Sequence, residues 1–548
     1  MFGGKKITLI LTCLLFATGS FAQQYSTYDL RFPSIRWKLA STPRNAPDSS
    51  GNLLFPEAEY VNYLWYSFNK ANLAWYNIDP LFLRDNSATP GHIVNTPQQK
   101  NHYAREIPET EVYPGSQCPG YQTNILTFDL AYYPDERGQY NYEHSLGGSM
   151  FSAGLDSSGR LKEPGSRWGG IMRSLDNTDW EAENIRHIVF WILDPFLYDT
   201  TSNGGSLYIQ IGYISEDVIH DSRMTSEGCL DCNMLNPDTS VWGISLKPAL
   251  CNPYEFSPEV DERQCQDIGL DGLNDEDEIV FFNRYLDSLQ TFLSPDFLLQ
   301  FMEDPSGDNY HYYRGDDYDA EQVSILGRFK KYNKLQGNSP VSSSGQTITQ
   351  GYGSAPDNED LNGDHVLNET EAYFQYGIEL KPNMDEGQNF IVEKHQPVVT
   401  GLNPGDPLPV WYQFKIPIED FDAKVGSIPD FRSIRFMRIF LTGFEEPVVL
   451  RFAQLGLERS DTIEPVLNTN VRIYPNPNNG KFTLELNDAN VTGIYIYNAL
   501  GQLLPPLDYS LNQCFSRHLD LDLGYQRGVY FIRIQMGDEF TTGKVVVR

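Results

Sequence analysis

A set of short apolar runs, dense in β-branched and aromatic residues, constrains this fold most. They are His187 to Leu193, Ser206 to Ile211, Trp411 to Pro417, Ile434 to Thr442 and Val448 to Leu457. Several are apolar on both faces, which suits central strands of a packed sandwich. Aromatic residues make up 13% of the chain and favour strands, while Gly 44 and Pro 34 supply the turns a many-stranded fold requires. Long amphipathic helical runs are scarce. Helix is expected for Glu57 to Asn72 and for Glu278 to Phe292. The reading is all-β: a β-sandwich body with minor helix.

The last 78 residues read as a separate unit. Phe482, Leu484 and Leu486 alternate with Thr483 and Glu485, and Tyr530, Ile532, Ile534 and Met536 alternate likewise. A period of two marks half-buried strands. Pro475, Pro477, Asn478, Asn479 and Gly480 make a turn. A small antiparallel, Ig-like sandwich is expected over 471–548, after a linker at 461–470.

The formal charge is -32, with a pI near 4.6. Such a surface repels phosphate backbones and anionic lipid, so no nucleic acid partner is expected. Lys5 and Lys6, the apolar run Ile7 to Ala17 and Ser20-Phe21-Ala22 read as a signal peptide over residues 1–22. No later stretch approaches the roughly 20 apolar residues a membrane helix needs, so no transmembrane segment is expected. Export favours disulfides among Cys118, Cys229, Cys232, Cys251, Cys265 and Cys514. Cys229-Leu-Asp-Cys232 has the spacing of half a zinc site, but Cys251 and Cys265 do not supply the other half.

Collinear blocks add a resemblance. They include LAWYNIDPLF (Leu73 to Phe82), LAYYPDERGQYNY (Leu130 to Tyr142), RWGGIMRSLDNTDWEAENIRHIVFWILDPF (Arg167 to Phe196) and GYISEDV (Gly212 to Val218). Further on come DIGLDGLNDEDE (Asp267 to Glu278), EDPSGDNYHYY (Glu303 to Tyr313), EDLNGDHVLNETEAYFQY (Glu359 to Tyr376) and FMRIFLTGFEEPVVLRFAQLGLER (Phe436 to Arg459). Together they resemble a soluble-looking segment of the SprA/Sov family, the outer-membrane translocon of the Bacteroidota type IX secretion system and gliding machinery. The chain has too few amphipathic strands for a barrel of that size. The expected SprA-like region divides into an N-terminal part, 23–165, and a sandwich, 166–460. Long strands with Arg near their ends also resemble a galactose-binding-like jelly roll. YPNPNNGKFTL, NALGQ, GVYFIRI and KVVVR resemble the type A C-terminal sorting domain of type IX substrates. That likeness implies passage through the periplasm, recognition by the translocon through the C-terminal domain, and delivery to the outer-membrane surface or the exterior.

Two acidic stretches could hold a cation. In Asp360 to Glu371, Asp360, Asn362 and Asp364 stand at loop positions one, three and five. Val366 offers a carbonyl at seven, Asn368 stands at nine and Glu371 at twelve. Calcium needs six to eight oxygens in such a cage, so calcium is the expected cofactor. The spacing resembles dockerin loops, with His365 where Gly normally makes the turn. Asp267, Asp271, Asp275 and Glu278 form a second, sparser set with Gly269 at position three. The alternative there is an acidic helix start behind Asn274.

Trp168, Trp180, Trp191, Trp242 and Trp411 could stack on sugars or build a core. Arg438 and Arg451 lie in apolar strands and need carboxylates, with Glu445 and Glu446 near in sequence. The chain has no nucleophile elbow, HExxH, P-loop or dinucleotide fingerprint. The expected function is that of a non-catalytic cell-surface protein contacting other envelope proteins or surface glycans. The alternative is a secreted carbohydrate-binding or glycoside-active jelly-roll protein.

Overall fold

The computed structural model describes residues 27–114, 123–230, 237–245, 252–263, 265–340 and 351–459. In the C-terminal region it describes 471–474, 480–486, 491–498, 504, 518–523, 527–536 and 539–547. The expected signal peptide, the linker 461–470, the turn Pro475 to Asn479, and Cys118, Cys232, Cys251 and Cys514 lie outside the described residues. Cys229 and Cys265 are each disulfide-bonded.

Two compact units are present. One runs to Arg105 and resumes at Leu126; the other holds Glu106–Ile125 and the C-terminal strands. The first is an antiparallel sandwich. One sheet has the order Ile391–His395, Trp411–Pro417, Ile185–Leu193, Val448–Arg459, Phe128–Arg137, Ala71–Tyr76, with Thr27–Asp29 added along Val448–Arg459. The other has the order Ala423–Val425, Ala372–Leu380, Gly205–Tyr213, Phe436–Thr442, Trp168–Ser174, Lys38–Leu39. Each expected apolar run lies on one of these strands, except that Ile434 and Arg435 precede strand Phe436–Thr442. Residues on both sides of position 165 therefore build the same sheets.

The apolar-on-both-faces pattern follows from this position. Phe436–Thr442 is buried along its whole length, paired with Gly205–Tyr213 on one side and Trp168–Ser174 on the other. Phe190, Phe414 and Phe452 from one sheet share a single core with Ile209, Tyr376 and Phe440 from the other. Each such fully buried side chain contributes about 1.5–3 kcal/mol of transfer free energy. The sheets pack closely at Gly169. A Cβ there would stand 3.0 Å from Leu73 Cβ and 3.1 Å from the Tyr132 ring, both on the facing sheet.

Helix is a minor component. Asp275–Phe281 and Asn283–Gln290 occupy the segment expected to be helical, followed by Pro295–Glu303. Asn274 caps the first, its side chain accepting from Asp277 N. The helix expected over Glu57 to Asn72 does not form. Two short 3-10 turns, Pro56–Glu59 and Leu64–Ser67, lead into strand Ala71–Tyr76. Asn62 interrupts the run at φ 60° and donates its N–H to the His220 carbonyl, a tertiary bond in place of a helical one. No described helix is long and apolar enough to cross a membrane.

The second unit carries two three-stranded antiparallel sheets. They are Val471–Tyr474, Lys481–Leu486, His518–Asp522 and Val491–Asn498, Gly528–Met536, Glu539–Val547. The expected alternation holds: Phe482, Leu484, Tyr530, Ile532 and Ile534 are buried in one core, while Phe531 faces outward.

Candidate functional site

The loop from Asp360 to Asn368 folds around its own polar side chains. Asp360 Oδ1 accepts from Asp364 N at 3.1 Å; Oδ2 accepts from His365 N at 2.7 Å and from the Tyr254 hydroxyl. Asn362 Oδ1 accepts from Asp364 N at 2.9 Å, and Asp364 Oδ1 from Val366 N at 3.0 Å. His365 takes the left-handed backbone that a turn at this position demands, with φ 64°. The Val366 side chain is exposed. Glu216 fastens the loop to the preceding strand region, accepting from Leu361 N at 2.6 Å and Asn368 N at 3.2 Å. Asn368 Nδ2 donates to the Ile214 carbonyl.

Glu371 is held elsewhere. It lies just ahead of strand Ala372–Leu380, and its two carboxylate oxygens accept from Arg438 at 2.9 and 2.8 Å. Arg438 also donates to Gln210 Oε1 at 2.7 Å and to Ser41 Oγ at 3.0 Å, completing a buried polar group in mid-sheet. The sequence-near Glu445 and Glu446 are exposed and are not its partners. Arg451 instead faces Asp129 at 3.5 Å and donates to the His102 carbonyl at 2.7 Å. Burial pushes Asp129 up to about 6 against the opposing pull of Arg451. The structure thus brings Asp360, Asn362 and Asp364 together and commits Glu371 to a core arginine.

The second acidic stretch has a different geometry. Asp271, Glu278 and Asp308 each direct a carboxylate oxygen to one place, these atoms lying within 4.8 Å of one another. The three residues are 1%, 0% and 0% exposed. Asp275, Glu278 and Asp304 form an adjoining set that shares Glu278; among the described residues no other group of acids, His or Cys converges in this way. Asp271 Oδ2 accepts from Ser306 Oγ at 2.5 Å, Glu278 Oε2 from Ser306 N at 2.9 Å and Asp308 Oδ2 from the Tyr140 hydroxyl at 2.8 Å. Glu278 Oε1 and Asp308 Oδ1 are buried and have no hydrogen-bond partner. Burial, then the charge of Asp271, pushes Glu278 up to about 9. Burial, then the charge of Glu278, pushes Asp308 well above the usual carboxylate range.

Residues 284–520 match the SprA_N family, described as a motility related/secretion protein. No curated protein matches the chain. The matched stretch begins in helix Asn283–Gln290, runs through the sandwich strands from Ala372 to Arg459 and continues into the C-terminal unit. It contains the Asp304–Asp308 turn, the Asp360 loop and the Glu371–Arg438 pair. The family match supports an SprA-like segment in a secretion or motility context.

Asp304, Ser306 and Asp308 were not among the ligands expected from sequence. The turn Asp304-Pro305-Ser306-Gly307-Asp308 is visible as a loop, but only the fold lays it over Asp271 and Glu278. Of the five Trp considered for sugar stacking, Trp168, Trp180, Trp191, Trp242 and Trp411, all are buried at 2% exposure or less. Trp168, Trp180 and Trp242 belong to the sandwich core.

Proposed function

We propose that the chain is an exported, non-catalytic cell-surface protein of the type IX secretion and gliding context. In this reading the sandwich is a free-standing SprA-like module that binds or builds at the outer-membrane surface. The C-terminal unit is its sorting domain, read by the translocon after passage through the periplasm. Other envelope proteins or surface glycans are the partners of the body.

The family match over 284–520 carries the secretion context. The buried tryptophans favour a structural role for the aromatics over a sugar platform. Arg438 and Arg451 are ion-paired and Glu216 accepts backbone amides, so these buried polar groups serve the fold. The test is affinity purification of the full chain from cross-linked outer membranes, paired with assays of the same preparation on glycans, esters and peptides. Co-purified translocon components are expected. Turnover abolished by a single Asp or Glu substitution would overturn the non-catalytic reading, and enrichment of glycans without translocon components would overturn the secretion reading.

A further inference from the structure

We propose that Asp271, Glu278 and Asp308 hold one calcium ion that ties helix Asp275–Phe281 to the loop before it and to the turn after helix Pro295–Glu303. Three carboxylates drawn from separate segments converge where water does not reach them. Buried charge of one sign is costly unless an opposite charge or hydrogen bonds compensate it. The cations facing the cluster do not compensate it directly. Arg137 donates to the Asp304 and Pro305 carbonyls, and Lys334 Nζ to the Gly307 carbonyl at 2.6 Å. Glu278 and Asp308, both in the cluster, each keep one buried carboxylate oxygen, Oε1 and Oδ1, without a hydrogen-bond donor.

The donor chemistry selects the ion. Every converging group is a carboxylate, with the Ser306 hydroxyl beside them and no thiol or imidazole, so a hard cation fits and a soft one does not. Magnesium keeps several of its waters, which a site buried to this degree does not accommodate; calcium exchanges its shell for protein oxygens. Asp275, half-buried, and Asp304 extend the carboxylates from the enclosed site toward solvent and offer the ion a path. The backbone is shaped around the site as well. Gly269 has φ 84°, and a Cβ there would lie 2.2 Å from Asp308 Oδ2. Calcium here would tie helix Asp275–Phe281 to the turn after Pro295–Glu303, two elements with no shared strand.

The test uses the full chain, stripped with chelator and returned to calcium or magnesium chloride. Expected are one tightly held calcium per chain by metal analysis and an upward shift of a few degrees in Tm at about a hundred times Kd. Magnesium should give little shift. Terbium bound in place of calcium should emit when tyrosine is excited, because Tyr140 and Tyr142 touch Asp308 and Asp271, and calcium should quench that emission. The double variant Glu278→Gln with Asp308→Asn should lose calcium binding and the shift. In chelator it should melt no lower than wild type, since it removes like charges. Asp360→Ala with Asp364→Ala should keep both calcium and shift. The proposal is overturned if stripped wild type takes up no calcium, if the Glu278/Asp308 variant binds as wild type does, or if binding vanishes in the Asp360/Asp364 variant instead.

Discussion

Arg438 and Glu371 meet through two hydrogen bonds of 2.8 and 2.9 Å, with side-chain exposures of 0% and 2%. The residues belong to different strand regions of one sheet, and neither is near the other in sequence. Gln210, on the strand between them, accepts from Arg438 Nε. The pair places charge in the middle of an otherwise apolar layer and uses the residue expected to complete a calcium loop.

Removing one partner leaves the other charged and buried. Glu371→Ala is expected to destabilise the sandwich by about 3–5 kcal/mol. The double change Glu371→Leu with Arg438→Met should recover most of that loss, because no buried charge remains. Urea unfolding of the three proteins measures the difference, and a double variant no better than Glu371→Ala would contradict it.

Asp360 acts as an internal cap for its loop. Asp360→Ala removes the acceptor of two backbone amides and of the Tyr254 hydroxyl. A cost of about 1–3 kcal/mol is expected, with protease cleavage between Leu361 and Asn368 rising in parallel. An unchanged melt and cleavage pattern would show that these bonds carry no weight.

Glu57 gives the body a pH dependence. Burial pushes it up to about 7; the Asn69 amide, which donates to Oε1, and the Arg167 charge oppose that rise. The folded state therefore holds this proton more tightly than the unfolded state, whose value is 4.5. Its contribution to stability is complete below about 4.5 and is lost as pH rises through about 7, a change of about 3 kcal/mol. Glu57→Gln should flatten that part of the stability–pH curve, measured by denaturant unfolding between pH 4 and 8.

Gly169 lies where the two sheets pack closely. Gly169→Val should force Leu73 and the Tyr132 ring apart and cost about 1–3 kcal/mol by overpacking. Comparison with Gly91→Ala, where a Cβ meets nothing within 4 Å and the backbone is not left-handed, separates packing from the loss of glycine itself.

A chain ending before Val471 should accumulate in the periplasm, whereas the full chain should reach the surface or medium. Fractionation and protease shaving of whole cells measure this; normal surface levels of the truncated chain would count against a sorting role for the C-terminal unit.

The strands of the sandwich were legible because their composition and two-sided apolarity follow from central positions in a sheet, whichever neighbours they have. The C-terminal strands were legible from alternation, since one face of each packs on a small core. The helix at Asp275 was marked by its cap and acidic first turn, both local. Tertiary contacts decided the rest. Asn62 bonding to His220 turned an apparent helix at Glu57 to Asn72 into two short turns, and no local propensity records that partner. Glu371 fits a loop by spacing, yet a buried Arg438 attracts its carboxylate more strongly than an exposed turn can. Asp308 joins Asp271 and Glu278 only because the chain folds back over itself. Ion pairs and metal cages depend on distances in space, and the spacing of residues along a chain fixes those distances only within a single turn or loop.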